Sequence, residues 1–272
     1  MSKLPNQGSP SRTLSTVVTA VNVIRTLEEL GSATVDDLVD HLDVSKTTMY
    51  NHLATLRQTG LVVKNGNAYE LSLQFLLLGE FVRNQHILYE AGKKEIEKLA
   101  KQTNEYAHLS TEQHGLRISL FKVRGEKAVG DKYQTSKLQK PDYLHSSATG
   151  KAILSQLPPE RTAEIIDFHG LPGKTGNTIT DRDELREELA ETRERGYSYN
   201  DEEEVEGLRA VGAPIKGRDG SVLGALSVSA PTSRMKGTQF QETIPEMVTS
   251  TANVIEVNIN MADRSSDTPN LG

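Results

Sequence analysis

The 272-residue sequence contains no cysteine. Disulfides, thiolate metal ligands and cysteine nucleophiles are therefore excluded. It also has no apolar run of about 18 residues, the length a membrane-spanning helix needs. No membrane span or membrane partner is expected. An excess of basic charge is missing as well. Lys and Arg number 31 against 37 Asp and Glu, a formal net charge of -6. Neutralising phosphates along a nucleic acid takes concentrated Lys and Arg. The balance argues against a general coat protein without excluding a local contact surface. The first dozen residues are rich in Pro, Ser, Asn and Gln and lack the apolar middle of a secretory signal. Residues 1–12 are expected to form a flexible arm, and the protein to be cytoplasmic.

Signatures of catalysis are poor. Gly150-Lys151 and Gly173-Lys174-Thr175 invite a phosphate-loop reading, but the earlier glycine of that motif would fall on His145 or Phe168. Ala152 also stands where a magnesium-binding hydroxyl is required. The seven histidines form no His-Glu-x-x-His pair and no close metal spacing. His108 and His114 flank an expected hairpin and read as surface residues. No catalytic residue, metal site or cofactor is expected, and the chain does not read as an enzyme.

What the sequence does have is enough apolar material for packed cores, 36% of residues, in a length that suits about two domains. Residues 13–71 read as a helical head with a hairpin. Val17, Val21, Ile24 and Leu27 recur near helical spacing and stop at Gly31. Thr34 with Asp37 three residues on predicts a capped second helix. Asp43-Val44 makes a tight break, and Ser45 caps a third helix running from about Lys46 to Thr59. Met49, Leu53 and Leu56 lie on one side of it. At about 100° per residue, Thr47, Asn51, Ala54 and Gln58 lie opposite, with Thr48 and Tyr50 on the flanks. A helix that reads the major groove presents such donors and acceptors on its N-terminal half. Lys46 and the helix start suit a phosphate.

The pattern then changes period. Leu61 to Lys64 and Asn67 to Leu71 read as strands joined at Asn65-Gly66, both tolerant of positive φ. A hairpin directly after the third helix is where the wing of a winged helix belongs, with Lys64 and Asn67 beside the groove. Met1 to Leu71 holds six basic and seven acidic residues. The acids fall mostly on the first two helices, which leaves the third helix and hairpin near neutral to positive. A three-helix domain that docks protein instead of DNA remains an alternative reading of this segment.

Residues 72–86 read as a linker helix with more apolar residues than one face needs, which a dimer contact or burial would explain. Residues 87–263 mix strands with segregated helices, an α+β pattern. Helices are predicted at Ile87 to Thr103, His145 to Leu157, Pro158 to Phe168, Asp181 to Arg195 and Gln239 to Met261. Strands are predicted at Tyr106 to Glu112, Leu116 to Val123, Val211 to Lys216 and Val222 to Ala230. The acidic run Asp201 to Glu204 reads as a solvated loop, and residues 264–272 as a polar tail. Two features suggest a small-molecule pocket. Thr149 and Gly150 lie at a helix start, where backbone N–H groups hold anions. Ser227 and Ser229 alternate with apolar neighbours on an expected central strand, so both hydroxyls face one side and need partners. Bonds to neighbouring backbone would satisfy them equally well.

The run Val44-Ser45-Lys46-Thr47-Thr48-Met49-Tyr50-Asn51-His52-Leu53 resembles the winged helix of the IclR family of regulators. Asn51 stands where that family often has Arg. His145 to Ala152 is similar to its small-residue motif. Gly196-Tyr197, Asp201 to Glu204, Gly207, Ala213-Pro214-Ile215, Gly220 and Ala225 to Ser229 are similar to its signature region. The resemblance covers nearly the whole chain beyond the first dozen residues. It implies an N-terminal winged helix-turn-helix followed by a GAF/PAS-like antiparallel-sheet domain with flanking helices. It implies a regulator of transcription, repressor or activator, that binds operator DNA as a homodimer or dimer of dimers under control of a small-molecule effector. The implied DNA-binding residues are Ser45, Lys46, Thr47, Thr48, Tyr50, Asn51, Lys64 and Asn67. The implied effector residues are Ala148, Thr149, Gly150, Asn200, Ala210, Ser227 and Ser229. Asn200 and Ala210 stand where an acid and a thiol occur in similar regulators, which points to an effector of different chemistry, an organic acid or sugar-derived metabolite.

Overall fold

The computed structural model describes residues 13–129 and 142–266. The expected arm at 1–12 and the end of the expected tail lie outside them. The chain divides into two compact units, one ending at Asn84 and the other starting at Gln85.

The first unit contains α1 (Ser15–Leu30), α2 (Val35–Leu42), α3 (Lys46–Gln58), β1 (Val62–Asn65), β2 (Ala68–Leu71) and α4 (Gln74–Asn84). Its start signals act as the sequence predicts. Thr34 accepts from the Asp37 amide while the Asp37 side chain accepts from the Thr34 amide, a full capping box. Ser45 caps α3 by accepting from the Thr48 amide at 3.1 Å. A cap of this kind is worth about 1 kcal/mol. Val23, Leu27, Leu38, Met49, Leu53, Leu56 and Tyr69 bury together as the core of the unit. The hairpin differs by one residue from expectation. Asn65 pairs with Ala68, so the turn is Gly66-Asn67, and Gly66 alone carries positive φ, +61°. A glycine at the first turn position with the second residue at negative φ is the II′ pattern that suits strand twist.

The second unit is a six-stranded antiparallel sheet with helices on both faces. Its elements are α5 (Ile87–Thr103), β3 (Tyr106–Gln113), β4 (Leu116–Val123), β5 (Asp142–Tyr143), α6 (Ala148–Gln156), α7 (Pro159–His169), α8 (Arg182–Arg195), β6 (Ser198–Asp201), β7 (Leu208–Lys216), β8 (Val222–Pro231) and α9 (Ile244–Ser266). A π-helical turn at Gln239–Thr243 leads into α9. The last helix therefore extends past 263, into the segment expected as tail. Strand order is β5-β4-β3-β8-β7-β6. The short strands β5 and β6 lie outside the sequence expectation.

Alternation along the central strands divides the chemistry of the two faces. Ala107, Leu109, Val211, Ala213, Ile215, Leu226 and Val228 pack with Ile96 and Leu99 of α5 and with Val248, Ile255 and Ile259 of α9. Each large side chain so buried contributes about 1.5–3 kcal/mol. The intervening residues face α6, where Gly212 comes so close that an added Cβ would lie 2.8 Å from the Ala148 carbonyl carbon. A separate core of Leu144, Ile153, Leu154, Ile165, Leu185 and Leu189 holds α6, α7 and α8 together. The cleft described below opens on this second face.

Candidate functional site

On the first unit the expected contact residues are displayed, not buried. Thr47, Thr48, Tyr50 and Asn51 are exposed on α3 while Met49, Leu53 and Leu56 hold it down. Tyr50 leaves 55% of its surface open, a large phenol with little reason to be there for packing. Ser45 and Thr48 bond side chain to side chain at 2.8 Å, fixing the start of the helix. Lys46 forms an exposed pair with Asp36 at 2.7 Å, and this partner raises the ammonium pKa above its ordinary value. Such a surface pair is weak and exchanges readily for another anion. In the hairpin, Lys64 and Asn67 are exposed, and the Lys64 ammonium stands 5.6 Å from the Tyr69 ring centre.

On the second unit, six of the seven expected effector residues line one cleft: Ala148, Thr149, Asn200, Ala210, Ser227 and Ser229. Its enclosed space is small, about 30 Å³, and it opens to solvent. Sheet register explains the gathering. Ser227 pairs with His108 on one side and Gly212 on the other, and Ser229 pairs with Ala210. Both serines therefore lie on the face that α6 covers. The two hydroxyls differ in environment: Ser229 Oγ lies 2.9 Å from His108 Nε2, while Ser227 is 5% exposed.

The start of α6 forms one wall. Ser147 caps it by accepting from the Gly150 amide at 3.1 Å. The Gly150 amide is thus committed to the cap, and Gly150 does not line the cleft. Its place in the motif is steric, since an added Cβ would meet the Leu144 carbonyl oxygen at 2.0 Å. The N–H groups nearest the cleft belong to Ala148 and Thr149, whose positions in the first turn carry no intrahelical acceptor. Thr149 is 1% exposed, and its hydroxyl has no hydrogen-bond partner among the described residues. An orphaned buried hydroxyl costs about 1–3 kcal/mol unless something bonds to it.

Asn200 connects the cleft to a buried ion network. It donates to the Ser146 carbonyl at 2.7 Å and accepts from the Glu203 amide at 3.2 Å. The Glu203 carboxylate meets the Lys151 ammonium at 2.6 Å, and Lys151 also reaches Glu188 at 3.2 Å. Only 2% of the Lys151 side chain is exposed. Burial pushes the Glu203 pKa up, and Lys151 pulls it part of the way back. The acidic run is therefore not a solvated loop. Asp201 ends β6, Glu203 is buried, and Glu204 lines the cleft. Their partners come from distant segments, Lys151 for Glu203 and Arg117 for Glu204.

Four charged or titratable liners escaped the sequence reading: His108, Arg117, Glu204 and Arg209. His108 was expected at the surface but is 8% exposed, because β3 is an interior strand with β4 and β8 on its sides. Arg209 is held by Asp201 at 2.6 and 3.1 Å. A usable sequence signal was Arg117, a cation at the second position of a strand that also carries Leu116, Ile118, Leu120, Phe121 and Val123. No group of His, Asp and Glu among the described residues is arranged to hold a metal ion.

Comparisons with known proteins bear on the family and the fold. Residues 80–257 match the family model described as bacterial transcriptional regulator IclR C-terminal. Residues 18–64 match that of the bacterial regulatory protein arsR family, a helix-turn-helix domain. The chain belongs to the IclR family of transcription regulators. It is 40% identical over 258 residues to a probable HTH-type transcriptional regulator ArcR of Halobacterium salinarum, covering 94% of this chain and 98% of that one. It is 27% identical to the HTH-type transcriptional regulator KdgR of Escherichia coli, covering 84% and 87%. Among solved structures, an IclR homologue from Microbacterium hydrocarbonoxydans complexed with 4-hydroxybenzoate superposes with a TM-score of 0.76 at 20% identity, covering 90% and 99%. The relatives carry the names of transcription regulators and not of enzymes. As an IclR-family regulator, the chain joins a DNA-binding head to a C-terminal effector domain. No helix among its described residues is long and apolar enough to cross a membrane.

Proposed function

We propose that the cleft between α6 and strands β3, β8 and β7 binds a small organic acid, and that the bound acid alters the operator affinity of the head. The observation that carries this reading is the buried, unpartnered Thr149 hydroxyl at a helix start, in a cleft that also presents Ser227, Ser229 and two guanidinium groups. A helix start and guanidinium groups favour an anion. The alternating hydroxyls and Asn200 then orient the rest of a polar ligand. The 4-hydroxybenzoate held by the Microbacterium homologue is a carboxylate of this kind. Control of DNA binding requires that the acid favour one arrangement of the protein over another.

The exposed residues Thr47, Thr48, Tyr50 and Asn51 suit base edges in the major groove. Ser45, Lys46, Lys64 and Asn67 suit the flanking phosphates. The protein acts in the cytoplasm as a homodimer or dimer of dimers. Leu73, Leu76, Leu77, Phe81 and Val82 support this, since each leaves at least 60% of its surface exposed in and just before α4. A contiguous apolar surface of this sort marks a subunit contact, and twofold symmetry matches a palindromic operator.

The test uses an operator fragment and a panel of monocarboxylic acids. An acid that shifts operator affinity of the wild type should have no effect on Ser227→Ala/Ser229→Ala, whose operator affinity without ligand is retained. An unchanged response at the same acid concentration contradicts the pocket. For the dimer, Leu77→Glu/Phe81→Glu should sediment as a monomer, and an unaltered dimer contradicts the α4 contact.

A further inference from the structure

Helix α2 brings acid to the start of the helix proposed to read DNA. Lys46 is the first residue of α3, which has no other Lys or Arg before Arg57 in its last turn. The Lys46 ammonium meets Asp36 at 2.7 Å, with the two side chains 64% and 68% exposed. Asp40, one turn further along α2, adds its own attraction to the same ammonium. Asp36 has no second ion pair among the described residues. We propose that Asp36 limits the affinity of the head for DNA by competing with backbone phosphates for Lys46. The inference rests on the reading of α3 and the hairpin as the DNA contact, and adds a residue that works against that contact.

The fold does not explain the acid at position 36. The capping box of α2 is made by Thr34 and Asp37, and Asp37 also supplies an acid in the first turn. An exposed ion pair adds little to stability. What Asp36 changes is the charge that DNA meets. A phosphate that takes Lys46 comes within a few ångströms of Asp36, well inside the screening length of about 8 Å at physiological salt. The gain from Lys46 is then offset twice, by the pair that is broken and by the carboxylate left beside the phosphate. Lys64 in the hairpin is the contrast. Its ammonium stands 5.6 Å from the Tyr69 ring centre and has no carboxylate partner among the described residues. Of the two lysines proposed to meet phosphates, one is open to them and the other is held by an acid.

The consequence falls on the part of binding that carries no sequence information. Phosphate contacts hold a protein on any duplex, and base contacts choose among duplexes. Opposing Lys46 lowers the grip on all sequences alike. Recognition is left to Thr47, Thr48, Tyr50 and Asn51, none of them charged at neutral pH. A single head held this weakly needs a second head on the same palindrome for tight binding, because the second contact is then intramolecular.

The experiment measures binding of the full chain to an operator fragment and to an unrelated duplex of equal length across a salt series. It uses a cycle of Asp36→Asn, Lys46→Ala and the double variant, with Lys64→Ala beside it. Asp36→Asn should bind both duplexes roughly fivefold more tightly at about 0.1 M salt, with a salt slope steeper by about 1. Lys46→Ala should weaken the wild type by at most about twofold, and the Asp36→Asn protein by roughly fivefold. Asp40→Asn should act in the same direction with a smaller effect, and serves if Asp36→Asn does not fold. Equal affinity and slope in wild type and Asp36→Asn, while Lys64→Ala lowers the slope, overturn the competition and leave the DNA face intact. A gain in Asp36→Asn that persists undiminished in the double variant also overturns it, since the carboxylate then repels DNA without reference to Lys46. No change in any of the variants, Lys64→Ala included, overturns both readings.

Discussion

Helix α3, proposed to read DNA, and the cleft, proposed to hold the effector, use similar residue types in opposite ways. On α3, Thr47, Thr48 and Asn51 point into water, and the helix is held from behind by Met49, Leu53 and Leu56. In the cleft, Thr149, Asn200 and Ser227 are buried and bond to the framework that supports them, or to nothing. A reading surface for DNA must meet a partner larger than itself, so its contacts are displayed on a scaffold that stands without them. A pocket for a small molecule must surround its ligand, so its contacts are part of the core. Changing a displayed residue should alter binding alone. Changing a residue under the cleft should alter stability and binding together.

The largest expected effect breaks the second half of that contrast. Lys151→Ala leaves the Glu203 and Glu188 carboxylates without their buried cation. Breaking such a network costs about 3–5 kcal/mol, readable as a lower urea midpoint for unfolding of the C-terminal unit. A loss below about 1 kcal/mol would place the network among weak surface pairs. Next comes the recognition helix. Tyr50→Ala or Thr47→Ala should weaken specific DNA binding by about 1–3 kcal/mol while the melting curve of the protein stays unaltered. Equal affinity for operator in both variants would remove α3 from the interface.

A pH series sharpens the comparison further. The Glu203 pKa is raised above its ordinary 4.5, chiefly by burial. In the window above 4.5 the folded protein thus binds a proton that the unfolded chain has released. Linkage then makes this group's contribution to stability fall as pH rises through the window. Urea unfolding of wild type minus Glu203→Gln, followed from pH 4 to pH 7, should show that decline, and a rise would reverse the assignment. Asn200 is the smaller lever at the same place. The smallest effect belongs to the wing. Lys64→Ala should weaken binding about equally on all sequences and lower the salt slope by about 1, whereas a change of preferred sequence would make Lys64 a base reader.

Much of this contrast is legible in the sequence because local physics writes it there. Thr34 and Ser45 mark helix starts through their own hydroxyls, and the face of α3 follows from its 3.6-residue period. The alternation around Ser227 and Ser229 places both hydroxyls on one side of β8 before any neighbour is known. What the sequence hides is set by distant partners. Glu203 reads as solvated because Lys151, which makes its burial tolerable, lies 52 positions away. His108 reads as exposed because nothing local says that β8 pairs beside β3. Strand β6, Ser198–Asp201, is too short and polar to show as a strand and exists through its pairing with β7. Gly150 belongs to the right motif for a steric reason, not as an anion ligand.

Selection of bound fragments from the organism's own genomic DNA by the purified full chain, at two salt concentrations, tests the central claim most directly. The account predicts enrichment of a palindromic motif, with affinity that falls at the higher salt and is weakened in Tyr50→Ala. No enriched sequence at either concentration, from folded protein with and without the acid panel, would contradict it.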